Sequence, residues 1–381
     1  MPLTYLDHNA TTPIDERVLA VMLPFLREHY GNASSRHELG TRSRQAIAQA
    51  RAQVAELVGA HPSQVIFTSG GTEANNLVIK GVAASLAPSQ IVIGATEHLC
   101  VMHPAQALAR NGWQCRQLPV SSAGLISAQA LTEAMREPTA MLSVMLANNE
   151  TGVIQDVAQL AHLAREQGAI VHTDAVQALG KIAVDFAALE VHAMTLSGHK
   201  INGPKGIGAL VVDKRLDLQA QLAGGGQERG FRGGTENVAA IVGFGAACEL
   251  AKARLAAAHT HAITLRQHLE TGLIALGAYI FGADATRLPN TVYFALPRIH
   301  GEALVIALDH LGFALSSGAA CSSNHSGIST TLMAMGVAPE LAHGAVRCSL
   351  GITNTAIEVD ALLQAIRTTV ERMQLMKAVA S

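Results

Sequence analysis

Short apolar runs separated by stretches of helical period dominate this chain. Val65-Ile66-Phe67-Thr68, Ile91-Val92-Ile93, Met141 to Leu146, Ile170-Val171-His172, Met194-Thr195-Leu196 and Ala209 to Val212 read as buried strands. Between several of them lie helix-period segments, such as 157–167 with apolar Val157, Leu160, Ala161 and Ala164 on one face. This alternation predicts an α/β fold in which a largely parallel sheet is covered by helices on both faces. Upstream, Ser34-Ser35 suggests a cap for a helix that carries Ala46, Ile47, Ala50, Val54, Leu57 and Val58 on one side and stops near Gly59.

After about Ala246 the pattern changes to a long helix, a strand near Thr291 to Ala295, another helix, a strand at Phe313-Ala314-Leu315 and a last helix from about Ile357. We therefore expect two domains. Residues 15–245 would form the large one, and residues 1–14 with 246–381 a smaller α+β one.

Composition narrows the ligand class. A formal charge of −2 supplies no basic footprint for nucleic acid, and 3 % aromatics leave few stacking platforms for single strands. No apolar run approaches the roughly 18 residues of a membrane span, and the first residues lack the charged-then-apolar order of a signal peptide. Five scattered cysteines with no C-x-x-C pair argue for a reducing cytoplasm and against a zinc site, so no metal is expected.

Four segments carry candidate chemistry. Lys200 follows the strand around Thr195-Leu196-Ser197, in Gly198-His199-Lys200, at the kind of strand end where open α/β sheets bind ligands. A desolvated lysine there can condense with an aldehyde, although alone it reads equally as a surface lysine in a glycine-rich turn. Thr68-Ser69-Gly70-Gly71-Thr72-Glu73-Ala74-Asn75 follows a strand and opens a helix, a setting for a phosphate. It lacks both the P-loop lysine and the G-x-G-x-x-G spacing. Asp174 ends an apolar strand, where it would pair with a cationic ring nitrogen or cap a helix. His98 lies past another strand, placed to stack on a ring and move protons, yet it is one of seventeen histidines.

With these segments in this order, the sequence resembles the cysteine desulfurases of the NifS/IscS type, fold-type I enzymes dependent on pyridoxal 5'-phosphate. The resemblance runs from Tyr5-Leu6-Asp7-His8-Asn9-Ala10-Thr11-Thr12-Pro13 to Val346-Arg347-Cys348-Ser349-Leu350. Along the way lie Gly31 to His37, Ala147-Asn148-Asn149-Glu150-Thr151-Gly152 and Gly224 to Arg229. It implies that Lys200 holds the cofactor and shuttles the substrate's Cα proton. Asp174 would pair with the pyridine nitrogen, and Gln177 with the phenolic oxygen. Gly71 and Thr72, with Ser197 and His199, would hold the phosphate, joined by Thr235 from a second copy, which implies a homodimer with shared sites. His98 would stack on the ring and act in acid–base steps, beside Asn149. Arg347 would clamp the carboxylate of L-cysteine, and Asn32 is a further candidate for the substrate pocket.

Ser316 to Gly327 is a run of small polar residues that cannot pack a core, so it should be a mobile exposed loop, and it contains Cys321. In the family such a loop cysteine is the nucleophile. Substrate displaces Lys200 and loses its Cα proton, and the Cys321 thiolate takes the sulfur as a persulfide while alanine leaves. The persulfide would then pass to an acceptor protein, in iron–sulfur cluster assembly or another thiolation.

This chain departs from relatives at Ser326-Gly327-Ile328-Ser329-Thr330, at Cys348 after the arginine, and in ending soon after its last helix. These departures bear on the acceptor. The rival readings are a selenocysteine lyase, an aminotransferase of the same fold, and a sulfur-carrier partner that has lost catalysis. Cys321 speaks against the aminotransferase, and Lys200, Asp174 and Arg347 together speak against the inactive partner.

Overall fold

The computed structural model describes residues 3–317 and 328–380. Its centre is a seven-stranded sheet in the order Val65–Thr68, Gly208–Val212, Ala193–Ser197, Ile170–Asp174, Thr139–Ser143, Gln90–Gly94 and Gln114–Leu118. Every pairing is parallel except the two made by Gly208–Val212, which runs against both neighbours. All six expected strands are present. Gln114–Leu118 was not expected, because as an edge strand it needs only one apolar face, and its residues are mostly polar. Thr139–Ser143 ends earlier than the apolar run, but the amides of Val144 and Leu146 still bond to the carbonyls of His172 and Asp174. That irregular extension carries the chain toward the site.

Apolar clusters fill both faces of this sheet. Val92, Leu142, Val171, Met194 and Ala209 pack on one side, and Ile91, Ile93, Met141, Ala193 and Leu210 on the other. Each strand is thus buried twice, which is why it reads as a continuous apolar run rather than an alternating one. The first long helix, Glu38–Leu57, buries Ile47, Ala50 and Val54 and stops before Gly59, whose φ of +63° suits glycine. Its cap is His37, not Ser34-Ser35. The His37 ring accepts from the amide of Gly40, while the Ser34 amide turns back onto Asn32 Oδ1 at 2.8 Å.

A second, antiparallel sheet of four strands runs in the order Ser316–Ser317, Ala345–Ser349, Thr291–Ala295 and Tyr279–Ile280. The expected strand at 313–315 is split. Phe313–Ala314 pairs with Thr4–Tyr5 at the start of the chain, and Ser316–Ser317 pairs with Ala345–Ser349. Leu6 joins the core of this second unit. The 38-residue helix Val238–Ala275 runs unbroken past position 246. Its Phe244, Ala247, Cys248 and Ala251 enter the core of the large sheet, and its Leu265, Leu269 and Leu273 that of the small one. Among the described residues no helix is long and apolar enough to cross a membrane.

One core group makes stability depend on pH. His172 is fully buried between Ser143 Oγ (2.8 Å) and Thr195 Oγ1 (3.0 Å), and burial pushes its pKa from 6.5 down to about 3. The folded chain therefore keeps it neutral while the unfolded chain protonates it. The stability it contributes is complete above pH 6.5 and is lost as pH falls toward 3. Thermal midpoints of wild type should fall on acidification through that window, and those of His172→Asn should fall less. Parallel profiles for the two would remove His172 as the cause.

Candidate active site

The carboxyl ends of five strands converge on one cavity of about 200 Å³, lined by Gly71, Thr72, His98, Cys100, Met145, Asn149, Asp174, Val176, Gln177, Ser197, His199 and Lys200. This is the crevice position expected for ligands in open α/β sheets. At one end, the helix Gly71–Ser85 points its N-terminus inward, and its N-cap, Gly70, supplies no side-chain acceptor to the first amides. Gly208 allows this turn to lie against the sheet, since a Cβ there would meet the backbone of Gly70 at 2.7 Å. Ser197 Oγ is buried here with no hydrogen-bond partner among the described residues. A wider hollow continues from it, shared by Gly71, Thr72, Ser197 and His199 and edged by Lys205. Free amides, an orphaned hydroxyl and a lysine form a receptor for an anion.

At the opposite end, Asp174 is 6 % exposed and accepts from the amide of Val176 (2.9 Å) and from Asn75 Nδ2 (2.7 Å). A carboxylate so far from water calls for a cationic ligand atom. His98 caps the helix Leu99–Ala107, its Nδ1 accepting from the amide of Cys100 at 3.2 Å. Although the residue is exposed, the protein packed around its ring lowers its pKa by desolvation, against the pull of Asp174. His199 is pushed down to about 4, by burial first and then by the charges of Lys200 and Lys205.

Lys200 closes a single 3-10 turn, Gly198–Lys200, after its strand, and its Nζ donates to the carbonyls of Asn9 and Ala10. The N-terminal segment thus returns to floor the site. Asn9 is its hub. Its carbonyl also accepts from Gln177 Nε2 (2.9 Å), its Nδ2 donates to the carbonyl of Asn149 (3.2 Å), and its Oδ1 accepts from Lys181 Nζ (2.9 Å). Lys181 also donates to Gln177 Oε1 at 2.7 Å, so the amide of Gln177 is held with its nitrogen toward Asn9. Desolvation pushes the half-buried Lys181 ammonium well below the usual lysine range, helped by the charges of Lys200 and Arg347.

Arg347, 4 % exposed on Ala345–Ser349, donates from Nη1 to the carbonyl of Asn149 (3.0 Å) and from Nη2 to Asp7 Oδ1 (2.7 Å). It therefore lies one residue's thickness from the cavity wall. Asn32 is not brought to this cavity, being exposed with its side chain turned onto the amide of Ser34. Thr235, expected to serve a second copy's site, lines a separate hollow with Phe67, Gly206 and Asn237. Cys321 lies outside the described residues.

Residues 4–362 match the Aminotransferase class-V family. The chain belongs to that family. Within it, the chain is 42 % identical over 377 residues to "Cysteine desulfurase 2" of Trichormus variabilis, covering 98 % of this chain and 94 % of that one. A solved structure described as a "NIFS-LIKE PROTEIN" superposes with a TM-score of 0.92 at 37 % identity, over 97 % of this chain and 99 % of that one. Another, "SspA in complex with cysteine", gives 0.80 at 32 % identity, over 92 % and 99 %. The fold is accordingly fold-type I, and the family's cofactor is pyridoxal 5'-phosphate.

The residues present fit that group: an anion receptor at Ser197 and the Gly71–Ser85 helix, a primary amine at Lys200, and a buried carboxylate at Asp174. Sequence reasoning missed Cys100, Met145 and Lys181, and passed over Asn75 and then Asn9 inside motifs it had quoted. Only the last left a readable signal, as a polar residue in a segment otherwise bound for a core.

Proposed function

We propose that this chain is a cysteine desulfurase that removes sulfur from L-cysteine, forms L-alanine, and carries the sulfur as a persulfide on Cys321. One observation carries the assignment of roles. Lys200, Asp174, His98 and Gln177 line one cavity, and the carbonyl of Asn149 links its wall to the buried guanidinium of Arg347.

In this reading the anion receptor of Gly71, Thr72, Ser197 and His199 holds the cofactor phosphate. Asp174 would pair with the ring nitrogen, Gln177 would donate its second N–H to the phenolic oxygen, and His98 would stack on the ring. The bound cofactor supplies an electron sink for charge developing at the substrate's Cα. Lys200 Nζ would hold the cofactor and, once free, would carry the Cα proton of the substrate. Arg347 receives the substrate carboxylate in place of part of its bond to Asp7, with Asn149 beside it. The Cys321 thiolate attacks the substrate sulfur. An S–S bond forms, the Cβ–S bond breaks, and its electron pair stays with the carbon fragment until protonation yields alanine.

Residues 15–245 serve as the cofactor-binding domain, and 1–14 with 246–381 as the domain carrying Arg347 and Cys321. The exchange of core partners between Ala251 and Leu265 along the long helix supports two units joined by that helix, with Ala247, Cys248 and Ala251 still packing in the large one. Thr235 would reach the phosphate from a partner subunit, since it lies outside its own chain's cavity, and this makes the active form a homodimer. The sulfur passes to an acceptor protein in the cytoplasm, in iron–sulfur cluster assembly or another thiolation. Asn32 would contribute to the substrate pocket only by leaving its turn.

The deciding experiment supplies L-cysteine to the cofactor-loaded protein and measures alanine and reductant-releasable sulfur on the chain. Both should appear in equal amounts in a first turnover. Neither product from L-cysteine, with alanine from L-selenocysteine instead, would transfer the assignment to a selenocysteine lyase. Arg347→Ala should lower kcat/KM for L-cysteine by roughly 10- to 100-fold, the worth of one or two charge-assisted hydrogen bonds. An unchanged kcat/KM would remove Arg347 from the substrate site.

A further inference from the structure

Cys100 is a thiol on the wall of the cavity that neither the resemblance nor the proposed mechanism uses. Its Sγ lies 2.8 Å from His98 Nδ1 and 3.0 Å from Asn75 Nδ2. The same Asn75 nitrogen donates to Asp174 Oδ2 at 2.7 Å. A single chain of contacts therefore joins the buried carboxylate, through an amide and a sulfur, to the imidazole.

The direction of each bond can be decided. The amide of Cys100 can only donate, so His98 Nδ1 accepts from it and carries no proton of its own. The sulfur is then a thiol that accepts from Asn75 and donates to the same Nδ1. The alternative is a thiolate–imidazolium pair, and it would set the Nδ1 proton against that amide hydrogen. Burial opposes both of its charges. It lowers His98 and, with the charge of Asp174, pushes the Cys100 thiol up to about 12.

We propose that Cys100 is a positioning residue that, with its own backbone amide, locks His98 in the neutral tautomer protonated at Nε2. What His98 then offers the cavity is an N–H donor. To act as a base it would have to take a proton on Nδ1 and break both bonds there. This replaces the acid–base role expected from sequence with that of a fixed donor and stacking partner, and it leaves proton removal from the substrate to Lys200. The charged and titratable groups around His98 are Asp174 and Glu150, which favour its protonation, and Lys200 and His103, which oppose it. Cys100 decides which nitrogen is involved.

The inference deepens the proposed role of His98 and rests on that reading only for its consequence in catalysis. Its test reads the full-length cofactor-free protein. Histidine labelled with 15N would be followed by NMR from pH 5 to 8, with His98 assigned by its disappearance in His98→Asn. Wild type should show His98 with Nδ1 unprotonated and Nε2 protonated at pH 7. Cys100→Ser keeps a donor and should preserve that state. Cys100→Ala should raise the midpoint of His98 titration by about 0.5–1 pH unit, the worth of one net hydrogen bond, and admit the other tautomer. A wild-type ring protonated on Nδ1 would overturn the proposal without any variant having to fold. So would a Cys100→Ala titration that superposes on wild type. Either result leaves the alanine assay standing, and failure of that assay leaves this measurement untouched.

Discussion

Lys200→Ala should yield a folded protein that binds pyridoxal phosphate without the visible absorption of a lysine-linked cofactor and that forms alanine at least ~1,000-fold more slowly. The expectation combines two losses at one atom. Nζ is the point of covalent attachment, and it is also the group that carries the Cα proton. Its present bonds, to the carbonyls of Asn9 and Ala10, hold it at the end of its strand beside Ser197 and His199. Because those partners are backbone atoms, the truncation leaves two exposable carbonyls rather than a buried charge, so the fold should survive. The distinguishing measurement is addition of a small primary amine, which should restore part of the proton transfer but not the attachment. Alanine formation by Lys200→Ala at the wild-type rate would remove this lysine from the mechanism.

Cys321→Ala should cut alanine formation by more than ~100-fold, the scale on which a positioned catalytic group registers, while leaving cofactor absorbance and L-cysteine binding intact. The separation follows from the geometry. The groups assigned to the cofactor and the substrate carboxylate, from Gly71 to Arg347, are held by contacts among themselves and with the N-terminal segment. The competing thiols are unsuited to the step. Cys248 and Cys348 are buried and pushed far above the ordinary thiol range, and Cys100 is raised to about 12 in the cavity wall. Equal alanine production with and without Cys321 would keep the cofactor site and reassign the sulfur acceptor.

Much of the large sheet was legible because its strands are buried on both faces and announce themselves as apolar runs. Gln114–Leu118 did not, because an edge position relaxes that demand. The cap of Glu38–Leu57 was misplaced for a local reason. Asn32 ties Ser34 into a turn, so the backbone enters the helix three residues later, at His37. The four segments with candidate chemistry converged as expected, since each follows a strand and parallel strands share one carboxyl edge. Asn32 shows the limit of motif transfer, because a match in sequence does not fix where a side chain turns, and here it bonds the amide of Ser34 instead of entering the cavity.

The sequence by itself determined the alternation of strand and helix, the order of phosphate turn, histidine, aspartate and lysine along the chain, and the kind of chemistry those groups perform together. Tertiary structure alone decided that the N-terminal segment floors the site. Asn9 meets Gln177, Lys181 and Lys200 from at least 168 residues away, a distance no local period encodes. It alone placed Cys100 against His98 on the wall of the same cavity as Asp174, where the roles of proton donor and acceptor are settled. Periodicity reports which face of an element avoids water. The partners that satisfy a buried polar atom come from whichever other elements the packing brings alongside, and the chain reveals them only once folded.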